Sequence, residues 1–110
     1  MKNKIYYSPE AVHDLDEIRD YVMMELCNPD AALNLVSGII DIIDKLKDFA
    51  EMGAPLSSIA DVESDYRFLI YDNYIAFYRS EGINIYIDRI LYGRRDYLRI
   101  LFDDLPSETE

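Results

Sequence analysis

The chain has one histidine, one cysteine and no tryptophan in 110 residues. One histidine and one cysteine cannot assemble the ligand cluster of a zinc site, so no metal is expected. Cys27 has no second thiol to pair with, which excludes an internal disulfide and fits a reducing compartment. No Gly-rich phosphate loop and no nucleophile-elbow motif is present, so no cofactor is expected either. No stretch approaches the ~20 apolar residues of a membrane span. Met1-Lys2-Asn3-Lys4 carries charge with no apolar signal core behind it. Together these absences describe a cytoplasmic protein with no membrane partner. There is no internal repeat and no low-complexity tract.

Bases are the other shortage: 11 Lys and Arg face 22 Asp and Glu, a net charge of −11. Their distribution is uneven. Residues 1–65 hold fourteen acids and five bases, residues 66–102 four acids and six bases, and residues 103–110 four acids and no base. Every base of the middle segment is arginine, and only Arg19 lies outside it. Arginine concentrated on one segment points to recognition of phosphate or carboxylate.

Half the residues are apolar, enough for one core in one domain, expected over residues 4–102, with 103–110 an acidic flexible tail. A chain of this size buries roughly two-thirds of its unfolded surface. Lys4 to Tyr7 reads as a short strand. Ser8-Pro9-Glu10 then opens a helix: Ser8 caps, Pro9 loses no needed donor, and Glu10 meets the positive end. Ala11, Leu15, Ile18, Val22 and Leu26 form its apolar stripe. Asp14, Asp16, Glu17 and Asp20 fall off it and predict a face that is solvated or meets a basic partner. Asn28-Pro29-Asp30 repeats the device for a second helix bearing Ala32, Leu35, Val36, Ile39, Ile43, Leu46 and Phe49, with Lys45 and Lys47 near its end. So short a link makes an αα-hairpin. Leu33, Ile40 and Ile42 widen the second stripe beyond one face, which predicts burial on two sides or contact with another chain.

A loop over 50–65 leads to three strands: Tyr66 to Tyr71, Tyr74 to Arg79 and Asn84 to Tyr92. Their turns fall at Asp72-Asn73 and Ser80-Glu81-Gly82, which makes the strands antiparallel neighbours. Ile85 and Ile87 set an alternation that Ile90 breaks, so a bulge is predicted near Asp88-Arg89. Gly93-Arg94-Arg95-Asp96 is a turn, and Tyr97 to Phe102 a short apolar closing segment. The reading is α+β, ordered β-α-α-β-β-β, with an N-terminal helical hairpin packed on an antiparallel sheet. The late strands are expected to gather the guanidinium groups at one surface.

Several segments resemble the RelE/ParE family of toxins from type II toxin–antitoxin systems. They are Tyr7-Ser8-Pro9-Glu10-Ala11 with Asp14-Leu15-Asp16-Glu17-Ile18 and Tyr21, Asn28-Pro29-Asp30-Ala31-Ala32, Met52-Gly53-Ala54-Pro55-Leu56, Tyr66-Arg67, Asn73 to Arg79, and Arg89 to Tyr97. No single piece is diagnostic; the ordered set, from about Lys4 to Phe102, is what is specific. The resemblance implies a toxin silenced by a cognate antitoxin, as a homodimer or a toxin–antitoxin hetero-oligomer. RelE-like members cut mRNA on the ribosome; ParE-like members poison DNA gyrase; an inactive member that still binds its antitoxin is the third reading. The long capped hairpin is the more ParE-like feature.

RNA cleavage through the 2′-hydroxyl needs a base, an acid and cations on the phosphate. If the chain is a ribonuclease, Arg67, Arg79, Arg95 and Tyr97 are the catalytic candidates, while Arg89, Arg94 and Tyr92 are candidates for binding target or phosphate. A phenol with pKa near 10 would have to be pulled down by neighbouring arginines. Many relatives carry histidine where this chain has Tyr92. The one histidine, His13, lies on the first helix, and a carboxylate such as Glu51 or Glu63 is the remaining base. Each arginine also has a plainer role: Arg67 and Arg79 can pair with Asp88 or Asp65, and Asp96 can hold Arg94 or Arg95 in a turn. The ribosome is a polyanion whose binding rests on neutralising phosphates. A net charge of −11 opposes that and favours a protein target such as gyrase.

Overall fold

The computed structural model describes residues 2–58, 64–93, 100 and 101. Strand β1 spans Lys4–Tyr7, helix α1 Pro9–Glu25 and helix α2 Pro29–Asp44. After a 3₁₀ turn at Lys45–Lys47 come β2 (Ala54–Pro55), a second 3₁₀ turn at Leu56–Ser58, β3 (Arg67–Tyr71), β4 (Tyr74–Glu81) and β5 (Asn84–Tyr92).

The helices begin as their capping residues dictate. The Ser8 hydroxyl oxygen accepts the Ala11 N–H at 2.9 Å, and the Asn28 side-chain Oδ1 accepts that of Ala31 at 3.1 Å. Each cap satisfies a donor the helix leaves bare and contributes about 1 kcal/mol. Cys27, with φ 50°, turns the chain back between the helices. Leu46 lies on the 3₁₀ turn and is fully buried, whereas Phe49 stands in solvent.

The sheet order is β1-β5-β4-β3-β2. The three late strands are antiparallel neighbours as expected, but β1 lies parallel to β5. The sheet is therefore mixed rather than wholly antiparallel, because the helical hairpin carries the chain across before the late strands return beside β1. The loop after the helices also contributes β2, a two-residue edge strand on β3. Pro55 is tolerated there because an edge strand has one side free of ladder bonds. Strand β4 runs on to Glu81, with Ser80 facing Ile85 and Glu81 facing Asn84. The turn is thus Gly82-Ile83, not Ser80-Glu81-Gly82. Gly82 takes φ 63°, which a two-residue hairpin turn matched to strand twist requires.

Apolar residues fill both faces of the sheet. Under the hairpin, Ala11, Ile18, Ile39, Ile43 and Leu46 meet Leu69, Ala76, Tyr78, Ile85, Ile87 and Ile90. On the far face Leu56, Phe68, Ile75, Phe77 and Leu91 form a second cluster, with Tyr66, Ile100 and Leu101 packed against it. The bulge falls where the broken alternation placed it: Phe77 faces Arg89 and Tyr78 faces Ile87, leaving Asp88 as the extra residue. Glu63, the Arg94–Tyr97 turn and the 103–110 tail lie outside the described residues. Among the described residues no helix is long and apolar enough to cross a membrane.

Candidate functional site

The bulge on β5 organises the charged chemistry. Strand β1 ends at Tyr7, opposite Ile87, so the edge of β5 beyond that point has no strand beside it. The start of α1 covers it instead. The Ser8 hydroxyl donates to the Asp88 carbonyl at 2.8 Å, and Asp14 Oδ2 accepts the Ile90 N–H at 2.9 Å. Asp14 also receives the Arg89 guanidinium through Nε at 2.8 Å and Nη2 at 2.9 Å, a two-pronged pair. Its side chain is only 3% exposed. The hydrogen bonds to Asp14 raise the Arg89 pKa above its ordinary value, outweighing the opposing effect of burial.

Asp14 corrects the sequence reading, which placed it on a solvated face. It does meet a basic partner, but one inside its own chain. The signal was present: Ala11, Asp14, Ile18 and Val22 are themselves spaced three, four and four. An acid on that stripe has to be buried and must find a cation and a donor.

The next side chain up the strand goes the other way. Asp88 lies on the far face, where Oδ2 accepts the Tyr66 hydroxyl at 2.8 Å and Arg79 Nε at 2.9 Å. The Arg79 guanidinium stands 5.6 Å from the Tyr66 ring centroid, a cation–π contact. The bond to Asp88 raises the Arg79 pKa. The Tyr66 phenol is pushed up to about 12, chiefly by burial and then by the bond to Asp88; Arg79 opposes the rise.

Arg67 takes neither predicted carboxylate. Its Nη1 donates to the Gly53 carbonyl at 2.7 Å. The Gly53 N–H in turn donates to the Tyr78 hydroxyl at 3.0 Å, and that hydroxyl donates to the Ala50 carbonyl at 2.9 Å. Gly53 is required by this close approach, since a Cβ there would stand 2.6 Å from the Phe68 carbonyl oxygen and 2.7 Å from the Tyr78 hydroxyl.

The described guanidinium groups therefore do not share the surface expected of them. Arg67 faces Tyr78 across the ladder, on the hairpin side; Arg79 follows Tyr78 and points to the far face. Arg89, displaced by the bulge, runs under α1. Each is tied to an acceptor within the chain. Tyr92 meets Tyr74 edge-on, with ring centroids 5.7 Å apart, and no arginine contacts it among the described residues. His13 is exposed on α1 beside Glu17, at 3.2 Å. Glu51 is exposed and acts on Tyr78, helping to raise its pKa, a rise led by burial. Arg94, Arg95, Tyr97 and Asp96 lie outside the described residues.

A groove of about 610 Å³ lies between the second half of α1 and the end of the sheet. Ile18, Val22 and Leu35 line it together with Tyr21, Tyr74 and Tyr92.

Comparison with known proteins gives a family match and a structural match. The family model described as the ParE toxin of the type II toxin–antitoxin system, parDE, matches residues 5–97. Among solved structures, a chain of the chromosomal ParDE system from P. aeruginosa is similar at 29% identity with a TM-score of 0.67. That alignment covers 83% of this chain and 96% of the other. No curated protein sequence matches.

Proposed function

Because the chain belongs to the ParE toxins of type II toxin–antitoxin systems, we propose that it acts in the cytoplasm by binding a protein target, DNA gyrase, and is silenced by a cognate antitoxin. The disposition of the described arginines is the observation that carries this reading. Phosphoryl transfer calls for free cations converging on one phosphate and a base near neutral pKa. Here Arg67, Arg79 and Arg89 each engage an internal acceptor and are divided between two faces. Tyr66, the phenol in contact with Arg79, is moved away from the range of a base. The net charge of −11 adds repulsion from a ribosome and none from a protein surface of opposite charge.

The test is induction of the wild-type chain in cells, scoring DNA-break markers against new mRNA 5′ ends, together with a supercoiling assay on purified gyrase. DNA breaks and loss of supercoiling are expected. Arg67→Ala and Arg79→Ala should retain both effects where they leave the chain folded. Discrete mRNA ends with intact DNA, lost in those two variants, would replace this reading with a RelE-like ribonuclease. No effect on growth, in a host with a sensitive gyrase, would mark an inert chain that keeps only antitoxin binding.

A further inference from the structure

Strand β1 closes one side of the sheet, with β5 next to it and, among the described residues, no strand beyond it. Its hydrogen bonds fix which groups face out. The Lys4 N–H donates to the Ile83 carbonyl at 2.7 Å and the Ser8 N–H to the Ile87 carbonyl at 3.0 Å. Main-chain groups of a strand alternate sides, so Lys4, Tyr6 and Ser8 bond to β5 while Ile5 and Tyr7 turn their N–H and C=O groups to the open edge. None of the described residues is hydrogen-bonded to these outward groups. The edge also has unlike ends. All four lysines of the chain, Lys2, Lys4, Lys45 and Lys47, gather at its start, where the Lys47 carbonyl takes the Asn3 N–H at 2.8 Å. Lys47 pairs with Asp44 and Lys2 with Asp48, which leaves Lys4 and Lys45 without an acid among the described residues. The other end of the edge runs into Glu10, exposed in the first turn of α1.

We propose that β1 pairs antiparallel with β1 of a second copy, joining two five-stranded sheets edge to edge about a two-fold axis. The edge selects its own register. With Ile5 opposite Tyr7 of the second copy, the outward residues of the two strands exchange N–H···O bonds and every open group is satisfied. One shift of the register sets Ile5 opposite Ile5 and leaves Tyr7 facing Asn3, whose N–H is already taken. The opposite shift sets Ile5 facing Pro9, which has no N–H to give. The satisfied register places Tyr6 directly across the axis from Tyr6 of the second copy. That side chain is 48% exposed and stacks on Tyr86 with ring centroids 5.7 Å apart, so pairing extends the stack into a row of rings on the far face. It also brings Lys2 and Lys4 level with Glu10 and Ser8 of the second copy, whereas parallel pairing would set lysine against lysine. Edge lysines ordinarily keep strands apart; the two-fold gives these an acid to meet. The same axis leaves both helical hairpins on one face of the joined sheet. The inference is independent of the toxin reading.

The sample is the full-length chain alone. Sedimentation equilibrium from about 1 to 500 µM should give a weak dimer with Kd of roughly 10–100 µM, as suits a small interface. Exchange of the Ile5 and Tyr7 amides should slow several-fold as the dimer forms. Cys27 is free and exposed, so cross-linking is read in a Cys27→Ser background. There Tyr6→Cys should give a disulfide-linked dimer on mild oxidation, because facing Cα atoms of such a pair lie about 4.5 Å apart, and Lys4→Cys should not. Tyr6→Lys should weaken the dimer roughly tenfold or more. Lys4→Glu and Glu10→Lys should each weaken it several-fold, and the two together should restore it. Raising salt from about 10 to 150 mM should tighten it, because repulsion between two chains of net charge −11 is screened beyond about 8 Å while contacts at the strand are shorter. A chain that stays monomeric throughout overturns the proposal, as does a dimer that survives Tyr6→Lys with Ile5 and Tyr7 exchange unmoved. Protection of both amides at dilutions where no dimer exists also overturns it, since the edge would then be covered within the chain. Protection that appears only on adding the protein of the adjoining reading frame would give the edge to that partner instead.

Discussion

Asp88 and Arg89 are consecutive residues of β5, yet they join ion pairs on opposite faces of the sheet. Under the helical hairpin, Asp14 and Arg89 form a pair whose carboxylate is almost wholly removed from water and also holds the Ile90 N–H. On the far face, Arg79 keeps 48% of its side chain exposed while its Nε meets Asp88. Successive side chains of a strand point to opposite faces, and that alternation is all this division requires. The Arg89–Asp14 pair is two-pronged while Arg79 meets Asp88 through Nε alone, and the surroundings differ as well. A charge that has lost its water depends on its partner, and a charge still in water does not.

Removing one partner from each face should break the apparent symmetry. Asp14→Ala leaves Arg89 half enclosed without a counter-charge and the Ile90 N–H without an acceptor. It should cost about 3–5 kcal/mol, a large share of the roughly 5–15 kcal/mol that holds a domain together. Arg79→Ala should cost less than about 1 kcal/mol. Urea unfolding of both variants measures the contrast. Asp14→Leu combined with Arg89→Met should recover much of the loss, because the deficit lies in the stranded charge rather than in the lost attraction. Equal midpoints for Asp14→Ala and Arg79→Ala would refute the distinction between the faces.

The same contrast applies to two tyrosines. Tyr78 is fully buried on the hairpin side, and its hydroxyl joins the Gly53 N–H to the Ala50 carbonyl. Tyr78→Phe leaves a buried N–H without a partner, at about 1–3 kcal/mol. Tyr66→Phe on the far face removes one bond to an Asp88 that keeps Arg79, at about 1 kcal/mol or less. Thermal unfolding reads this as a larger drop for Tyr78→Phe, since a domain near this size loses roughly 4–8 °C per kcal/mol.

Much of this frame was legible in the residues. Both capped helices, the Asp72-Asn73 turn, the bulge and the Arg79–Asp88 pair follow from local chemistry: a side chain that caps, a residue that turns, an alternation that breaks. What was not legible depends on distant neighbours. Nothing in Lys4–Tyr7 states that it will lie parallel to β5, because parallel and antiparallel partners make the same demand on a strand's side chains. Arg67 was expected to meet a carboxylate and instead meets the Gly53 carbonyl, a main-chain atom brought near by β2, itself only two residues long. Asp14 was misassigned because periodicity was read through the apolar residues alone. Had the acid at the stripe's own spacing been counted, it would have predicted a buried cation opposite α1, and Arg89 is an arginine of the strand beneath it.

The smallest expected effect concerns what the two faces share. Tyr7, on the hairpin side, and Tyr66, on the far side, both have phenols raised from 10 to about 12. Burial is the leading cause in each; the Asp44 charge adds for Tyr7, and the bond to Asp88 for Tyr66. In the unfolded chain both return to about 10. The folded state therefore holds these protons more tightly, so the stabilisation is complete below pH 10 and is lost as pH rises through 12. Stability should fall across that window, with Tyr78, also raised, adding in the same direction. Tyr7→Phe and Tyr66→Phe should each make the fall shallower, and the double variant shallower still. Urea midpoints taken from pH 9 to 12 measure it. If only Tyr7→Phe flattens the curve, the Tyr66–Asp88–Arg79 cluster is open to water in solution, and the two faces differ in hydration even more than their ion pairs imply.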